Sequence, residues 1–247
     1  MHIPRWNVVP PEKSQTATGK YHIVAHFKVF GTTGVGCTES VIGPCKIAAC
    51  PASAGMPVTE LNAGPITVTG SGPDSPVALS YGQQTPGGPA GYPPATGASP
   101  FCSSGDTVTA SGGGGPDLPA FAAQSIVAPS DIAVTSPACA AGACQDIPRS
   151  MDAIITWSGG TAGKVSVAYV TATDAGSKIL ACSFDASAGT GTVPSAALMQ
   201  LDVGSSAGFF GSMLITPIDS KEIMVGSMPT VLGVEATPLG GTFTTTD

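Results

Sequence analysis

Charged side chains are scarce in this sequence. Asp, Glu, Lys and Arg make up 10% of its 247 residues, whereas an average soluble domain has about 25%. The nine basic residues are scattered, and together with sixteen acidic residues they give a net charge of −7. No cluster of positive charge is present to neutralise phosphates, which argues against nucleic-acid binding. No polybasic run predicts contact with an anionic membrane surface.

Long apolar runs are also missing. The most hydrophobic stretch, GFFGSMLITPI (208–218), has the length of a strand, and a membrane-spanning helix needs about 20 apolar residues. The chain is nevertheless rich in Val, which argues against disorder. Its 33 Gly and 23 Pro are typical of many short strands joined by tight turns.

Histidine is confined to the first 26 residues, at His2, His22 and His26. If this segment is a leader, the mature chain has no histidine, which excludes a Ser–His–Asp triad, Cys–His catalysis and most zinc hydrolases. If it is a strand, His22 and His26 share a face, and two exposed side chains are the simplest interpretation. We expect no cofactor and no metal, and we assign no catalytic residue.

Aromatic residues are few, with two Trp and four Tyr, although sugar-binding surfaces usually present aromatic rings. Trp157 shares a strand face with Ile155, so we predict a core position. Tyr81, Tyr92 and Tyr169 are better candidates for ligand contact. Tyr92 lies in the Gly-Pro loop 82–100, and we predict that it is the most exposed of them and the candidate ligand contact.

Carboxylates occur singly, in turns such as GPDSP, SGDT and ATDAGS, where Asp commonly bonds nearby backbone. A glycosidase would need two of them to converge in a cleft. The Gly-rich SGGGGPD (111–117) lacks the Lys-Ser or Lys-Thr of a phosphate loop. No motif in the chain therefore specifies a reaction.

Alternating apolar and polar residues, as in PITVTG and GDTVTAS, recur at the spacing of a sandwich. We predict an all-β fold, an antiparallel β-sandwich that is Ig-like or related, with about a dozen short strands and one short helix. The helix is expected within GTVPSAALMQL, with Thr192 as N-cap. GTA (160–162) is expected to connect a hairpin. Core candidates include Trp157, Phe184 and Leu198.

The predicted domain organisation separates residues 1–60 from residues 61–247. The first segment is a leader, a tether or an edge strand, and alternation within residues 21–30 favours a strand there. The second segment is the sandwich region, and its further division into 61–136 and 145–247 stays open.

The seven cysteines include two pairs with one local spacing, CKIAAC and CAAGAC. The preferred set of disulfides is Cys45–Cys50, Cys139–Cys144 and Cys102–Cys182, one of 15 connectivities that six cysteines allow. A four-cysteine zinc site from the two local pairs is the alternative, and buried reduced thiols are a third.

Cys37 is left over in this set. VGC followed by Thr-Glu is typical of the end of a bacterial lipobox, so Cys37 is the predicted lipid attachment point. The residues before it depart from the pattern, because His22, His26 and Lys28 interrupt the apolar core that a signal peptide needs.

One resemblance follows from longer motifs. The run ITWSGG…GKVSVAYV…CSFDASAGTGTVPSAAL resembles a family of exported bacterial β-sandwich lipoproteins that has no assigned function, and FCSSGDTVTAS and LPAFAAQSIVAP fit the same pattern. The resemblance covers residues 62–235 and implies a lipidated N-terminus. A weaker similarity is to Ser/Thr-rich sandwich domains of cell-wall surface proteins.

These observations lead to three functional hypotheses. The first is a non-catalytic cell-envelope or surface protein with a binding or structural role, lipid-anchored at Cys37. The second is a self-assembling subunit of a surface filament or layer, and the third is a carboxylate- or metal-dependent hydrolase acting on an extracellular polymer. Expected partners are an extracellular molecule or a second copy, with membrane contact only through the lipid. The expected location is the periplasm, the outer membrane or the cell surface.

Overall fold

The computed structural model describes residues 5–9, 21–25, 27–30, 37–52, 58–83, 90–93, 95–97, 99, 101–140, 143–235 and 239–246. Within these ranges the chain forms 25 strands, one 3-10 turn and a single four-residue α-helix. The predicted all-β class is confirmed. The strands outnumber the expected dozen because several contain only two or three residues.

In chain order the strands are β1 (Arg5–Val9), β2 (Tyr21–Val24), β3 (Lys28–Phe30), β4 (Thr38–Ile42), β5 (Cys45–Pro51), β6 (Val58–Glu60), β7 (Ile66–Thr69), β8 (Val77–Leu79), β9 (Gly82–Gln83), β10 (Ala90–Gly91), β11 (Ala95–Gly97), β12 (Thr107–Gly112), β13 (Phe121–Val127), β14 (Ile132–Ser136), β15 (Cys139–Ala140), β16 (Ala143–Cys144), β17 (Ile147–Pro148), β18 (Ala153–Gly159), β19 (Lys164–Thr173), β20 (Gly176–Asp185), β21 (Thr190–Val193), β22 (Phe210–Val225), β23 (Met228–Glu235), β24 (Leu239–Thr242) and β25 (Thr245–Thr246). The 3-10 turn is Ala186–Ala188, and the helix α1 is Ser195–Leu198.

The chain divides into two compact units that interleave along the sequence. Unit 1 comprises Met1–Gly31, Pro57–Pro129 and Ile218–Thr237, and unit 2 comprises Thr32–Met56, Ser130–Pro217 and Pro238–Asp247. Both sides of the sequence-based division at residue 60 therefore contribute strands to each unit. The strand β22 contributes its first part to unit 2 and its last part to unit 1.

Unit 1 contains two larger sheets. In one, β1 lies between β2, which is antiparallel to it, and β23, which is parallel to it; β11 continues the sheet beyond β2, and the last part of β22 continues it beyond β23. The other has the order β13-β12-β7-β8. Alternation directs Ile66, Val68, Val108 and Ala110 inward, and all four are completely buried.

Unit 2 has its own core. One sheet runs β19-β20-β5-β4, and a three-stranded sheet has the order β14-β18-β21. The inward residues of β19 are Val165, Val167, Tyr169 and Thr171, each fully buried. Trp157 and Leu198 belong to this core as predicted, and Phe184 packs against it while half-buried.

Residues 21–30 are strand-forming, which favours the strand interpretation over the leader. They form β2 and β3, and Ala25 and Phe27 between them are buried in the core of unit 1. His22 lies on the backbone of β2, but its side chain, like His2 and His26, lies outside the described residues.

The predicted GTA hairpin is wrong. The strands on either side of it belong to different sheets, because β18 pairs with β14 and β21 whereas β19 pairs with β20. Gly159 and Gly160 have φ angles of 84° and 63°, a left-handed conformation that glycine adopts without steric cost. This conformation turns the chain from one sheet to the other.

The predicted helix is present but shorter, and its N-cap is not Thr192. Thr192 lies in β21, and Pro194 occupies the N-cap position of α1. The backbone amide of Ser195 donates to Asp152 Oδ1 at 2.7 Å, so a side chain distant in sequence satisfies the helix start.

Candidate functional site

All three disulfides of the described residues lie in unit 2 and join neighbouring strand positions. They are Cys37–Cys50, Cys45–Cys182 and Cys139–Cys144. Cys45 lies directly opposite Cys182 in the β5/β20 ladder, and Cys139 opposite Cys144 in the β15/β16 hairpin. Three such bonds indicate an oxidising, extracellular environment.

Two predicted pairings are corrected. Cys45 and Cys50 both lie on the extended strand β5, so about 16 Å of backbone separates them, and a disulfide needs Cα atoms within about 7 Å. Cys102 is not paired with Cys182 but is a free, buried thiol in the core of unit 1. Cys139–Cys144 is as predicted. The proposed four-cysteine zinc site is not formed, because Cys45, Cys50, Cys139 and Cys144 are all oxidised.

The predicted lipid attachment at Cys37 is wrong. Its sulfur is bonded to Cys50, and a disulfide sulfur cannot also carry a thioether to a lipid. Cys37 is instead adjacent to the Thr38↔Ala49 pair, where it joins the start of β4 to the end of β5.

Cys102 is expected to resist alkylation in the folded protein. Burial, reinforced by the nearby carboxylate of Asp106, raises the pKa of its thiol to about 11, so the thiol stays protonated at pH 8. Iodoacetamide at pH 8 should modify it at least about tenfold more slowly than in urea, where the pKa returns to about 8.5. Equal rates would contradict this. The pKa of the Cys102 thiol is higher in the folded protein than in the unfolded chain. The contribution of this thiol to the free energy of unfolding is therefore fully present below about pH 8.5 and is lost as the pH rises towards 11.

Tyr92 is not exposed, which corrects its prediction as a ligand contact. The side chain is fully buried, and its ring makes edge contacts with Phe27 and Tyr81. Its hydroxyl accepts from the amide of Ala63 at 2.7 Å and donates to the carbonyl of Gly64 at 2.9 Å. Burial raises the pKa of Tyr92 to about 12. The Tyr92 hydroxyl therefore holds the backbone of Ala63 and Gly64 in place within unit 1.

The substitution Tyr92→Phe should destabilise unit 1 by about 1–3 kcal/mol, because it removes the partner of the buried Ala63 amide and of the half-buried Gly64 carbonyl. Tyr81→Phe is the matched control, since the half-buried Tyr81 hydroxyl makes a single bond, to the carbonyl of Glu60, and should cost about 1 kcal/mol. Urea unfolding measures both, and a Tyr92→Phe effect no larger than that of Tyr81→Phe would contradict this role.

The remaining tyrosine candidate, Tyr169, is also core. It is fully buried and makes an edge contact with Phe243 at 5.6 Å between ring centroids. Burial raises the pKa of its hydroxyl, so the group is neutral at physiological pH. None of the three tyrosines therefore provides an exposed ring, since Tyr81 is half-buried.

A concave site lies at one end of the unit 2 core. It is a groove of about 330 Å³ whose lining includes Thr38, Ala49, Thr173, Lys178 and Asp202. The register of four neighbouring strands places the groove. One row across the sheet consists of Thr38 on β4, Ala49 on β5, Lys178 on β20 and Thr171 on β19. The neighbouring inward row contains the buried Ile47, Leu180 and Tyr169.

An ion pair occupies the floor of this groove. Lys178 Nζ lies 2.9 Å from Asp202 Oδ1, with side-chain exposures of 34% and 16%. The second carboxylate oxygen, Asp202 Oδ2, accepts from the hydroxyl of the buried Thr171 at 2.9 Å, and the amide of Asp202 donates back to that hydroxyl. Both carboxylate oxygens are thus engaged, and Asp202 holds Lys178 in place.

This arrangement binds polar groups better than it transfers protons. An ammonium group has three N–H donors, and Asp202 accepts from one, so Lys178 can donate to a ligand oxygen. The hydroxyls of Thr173 and Ser177 line the same groove. Acid–base chemistry by a carboxylate pair would need a second acid, and the groove lining contains only Asp202.

Other polar clusters among the described residues are simpler. Lys164 and Asp185 form an ion pair that is exposed on both sides. Asp106 accepts from the hydroxyl of Ser71 and the amide of Ser103, which keeps the pKa of its carboxyl low. No group of three His, Cys, Asp or Glu side chains within the described residues is arranged to hold a metal.

Comparison with known proteins gives no match among protein-family models, curated proteins or solved structures. In the part of the chain that the structure describes, no helix has the length and hydrophobicity to span a bilayer.

Proposed function

We propose that this chain is a non-catalytic binding protein of the cell envelope or cell surface, and that the groove of unit 2 is its ligand site. The observation that carries the proposal is Lys178, held by Asp202 within a concave site on a disulfide-bonded sandwich. The three disulfides and the resemblance to exported β-sandwich proteins support an envelope or surface location.

The groove favours a small, oxygen-rich ligand. Its volume of about 330 Å³ is at the lower end of the range for small-molecule pockets, which suits one unit of a polymer rather than a large cofactor. Among the described residues, the polar groups at the groove are one ammonium, one carboxylate and several hydroxyls, and none of the lining side chains is aromatic. Recognition would therefore rest on hydrogen bonds, and we propose an acidic saccharide whose carboxylate accepts from Lys178.

The experiment is a titration with uronic-acid oligosaccharides and with neutral oligosaccharides of equal length. The acidic ones should shift amide resonances around Thr173–Lys178. Lys178→Met keeps much of the side-chain volume but removes the charged donor, so we expect about a 10- to 100-fold loss of affinity. Lys164→Met is the control, because it breaks the ion pair with Asp185 outside the groove.

Two results would contradict the proposal. One is binding of the acidic oligosaccharide with equal affinity by the protein and by Lys178→Met. The other is the absence of any shift in the groove resonances at millimolar concentrations of either sugar class.

A further inference from the structure

The strand β4 is an open sheet edge. Among the described residues its only strand partner is β5, and Thr38, Glu39, Ser40 and Val41 are all exposed. Val41 is 69% exposed. An edge strand carries a row of backbone N–H and C=O groups that can pair with a further strand. No proline or lysine within β4 protects this edge.

The edge is also held in place. The Cys37–Cys50 disulfide joins the residue before β4 to β5, and Ile42 at the other end lies opposite Cys45, which is itself bonded to Cys182. The start of β4 is therefore bonded covalently to the sheet, and its end is joined by the two-residue turn at 43–44 to β5, which the second disulfide holds to β20. A rigid edge loses less conformational entropy when a partner strand is added.

The side chains on the outer face identify the occupant. Val41 lies opposite Lys46, and Glu39 lies opposite Ala48; Glu39, Val41 and Lys46 are exposed. If a second β4 pairs antiparallel about Ser40, Glu39 of one copy lies opposite Val41 of the other, with Lys46 of that copy next in the row. The dimer then contains two such rows, related by the twofold axis. Each row holds Glu39 of one copy and Lys46 of the other.

We propose that β4 is a self-association surface, through which two copies of this chain form an antiparallel edge-to-edge dimer centred on Ser40. The pairing joins the two β4 edges into one sheet and places Glu39 of each copy in the same cross-strand row as Lys46 of the other, with Val41 between them. It does not use the groove cation Lys178, although Thr38 at the start of β4 also lines the groove. Because the contact is five residues long, the interface is smaller than that of a stable complex, and the dimer is of the weak, transient kind.

The test is sedimentation velocity of the oxidised full chain over a wide range of concentrations. The protein should show a concentration-dependent dimer. Glu39→Lys places like charges in both rows, as does Lys46→Glu. Because the two charges lie about two strand spacings apart and are exposed, each variant alone should weaken the dimer about two- to fivefold. An equimolar mixture of the two variants should restore it, because a mixed dimer has opposite charges in both rows. Glu222→Lys, an equal charge change at an exposed site on β22, should leave it unchanged.

Each outcome decides the proposal. A wild-type protein that stays monomeric at every concentration overturns the β4 dimer. The partner of this edge would then be a strand from a different protein. A dimer that survives both single variants unchanged, or a mixture that fails to restore it, overturns the β4 register. Circular dichroism and thermal unfolding of each variant show that the fold is retained, so that lost association is not lost folding.

Discussion

Replacing both Cys45 and Cys182 with alanine is expected to lower the unfolding free energy of unit 2 by about 5 kcal/mol in the chain-entropy account of disulfides. The bond closes a loop with a sequence separation of 137 residues, so its loss frees a long segment of the unfolded chain. Both sulfurs are also buried in the core. Folded domains are typically stable by 5–15 kcal/mol, so unit 2 should be close to unfolded.

The matched control replaces Cys139 and Cys144 with alanine. That bond spans a separation of five residues, for which the same account gives about 2 kcal/mol. Urea unfolding in a Trp6→Phe background makes Trp157 the only tryptophan, so fluorescence reports on unit 2. Equal losses in the two double variants, or a Cys45/Cys182 variant as stable as the parent, would contradict the assigned role of the long bridge.

Trp157→Ala should destabilise unit 2 by about 3–5 kcal/mol. The indole is 4% exposed and packs near Phe184, with 6.4 Å between ring centroids. Its Nε1–H donates to the carbonyl of Ala186 at 2.7 Å, so truncation creates a cavity and also removes the partner of that carbonyl.

Trp157→Phe separates these two effects. It keeps an aromatic ring in the core but removes the N–H donor, so its cost should be clearly smaller than that of alanine. Urea unfolding followed by circular dichroism measures both variants. A loss below about 1 kcal/mol for Trp157→Ala would show that this side chain does not organise the core.

The strand pattern could be predicted from the sequence because alternation is a local property. Along β19, the apolar positions Val165, Val167 and Tyr169 coincide with the buried face. The alternation of apolar and polar residues does not predict which strand pairs with which. The interleaving of two units and the separation of β18 from β19 depend on long-range pairing, which the local GTA sequence did not reveal.

The disulfides show the same limit. CKIAAC and CAAGAC have equal spacing, yet the first is a continuous strand and the second is a hairpin. A signal was present, because KIAA lacks a turn residue whereas AAGA contains a glycine. The pairing of Cys45 with Cys182 follows from the β5/β20 register, and no local pattern encodes it.

The groove was missed for a related reason. Lys178 and Asp202 are far apart in sequence, and each looks like an ordinary surface charge. One signal could have been used: the inward positions of β19 change from apolar Val165, Val167 and Tyr169 to Thr171 and Thr173. Polar residues at the end of an otherwise buried strand face indicate that the core opens to solvent there.

The prediction for Tyr92 is wrong because it treats the whole Gly-Pro loop as exposed.

The strand pairing of unit 2 is tested by a disulfide map of the unreduced protein after alkylation and digestion with trypsin and a Glu-specific protease. Cleavage after Glu39, Lys46 and Glu60 places Cys37, Cys45 and Cys50 on three separate peptides, 29–39, 40–46 and 47–60. We expect 29–39 to be linked to 47–60, 40–46 to be linked to 179–221, which carries Cys182, and Cys102 to be unbonded. A link between 40–46 and 47–60, or a Cys102–Cys182 bond, would contradict this strand pairing.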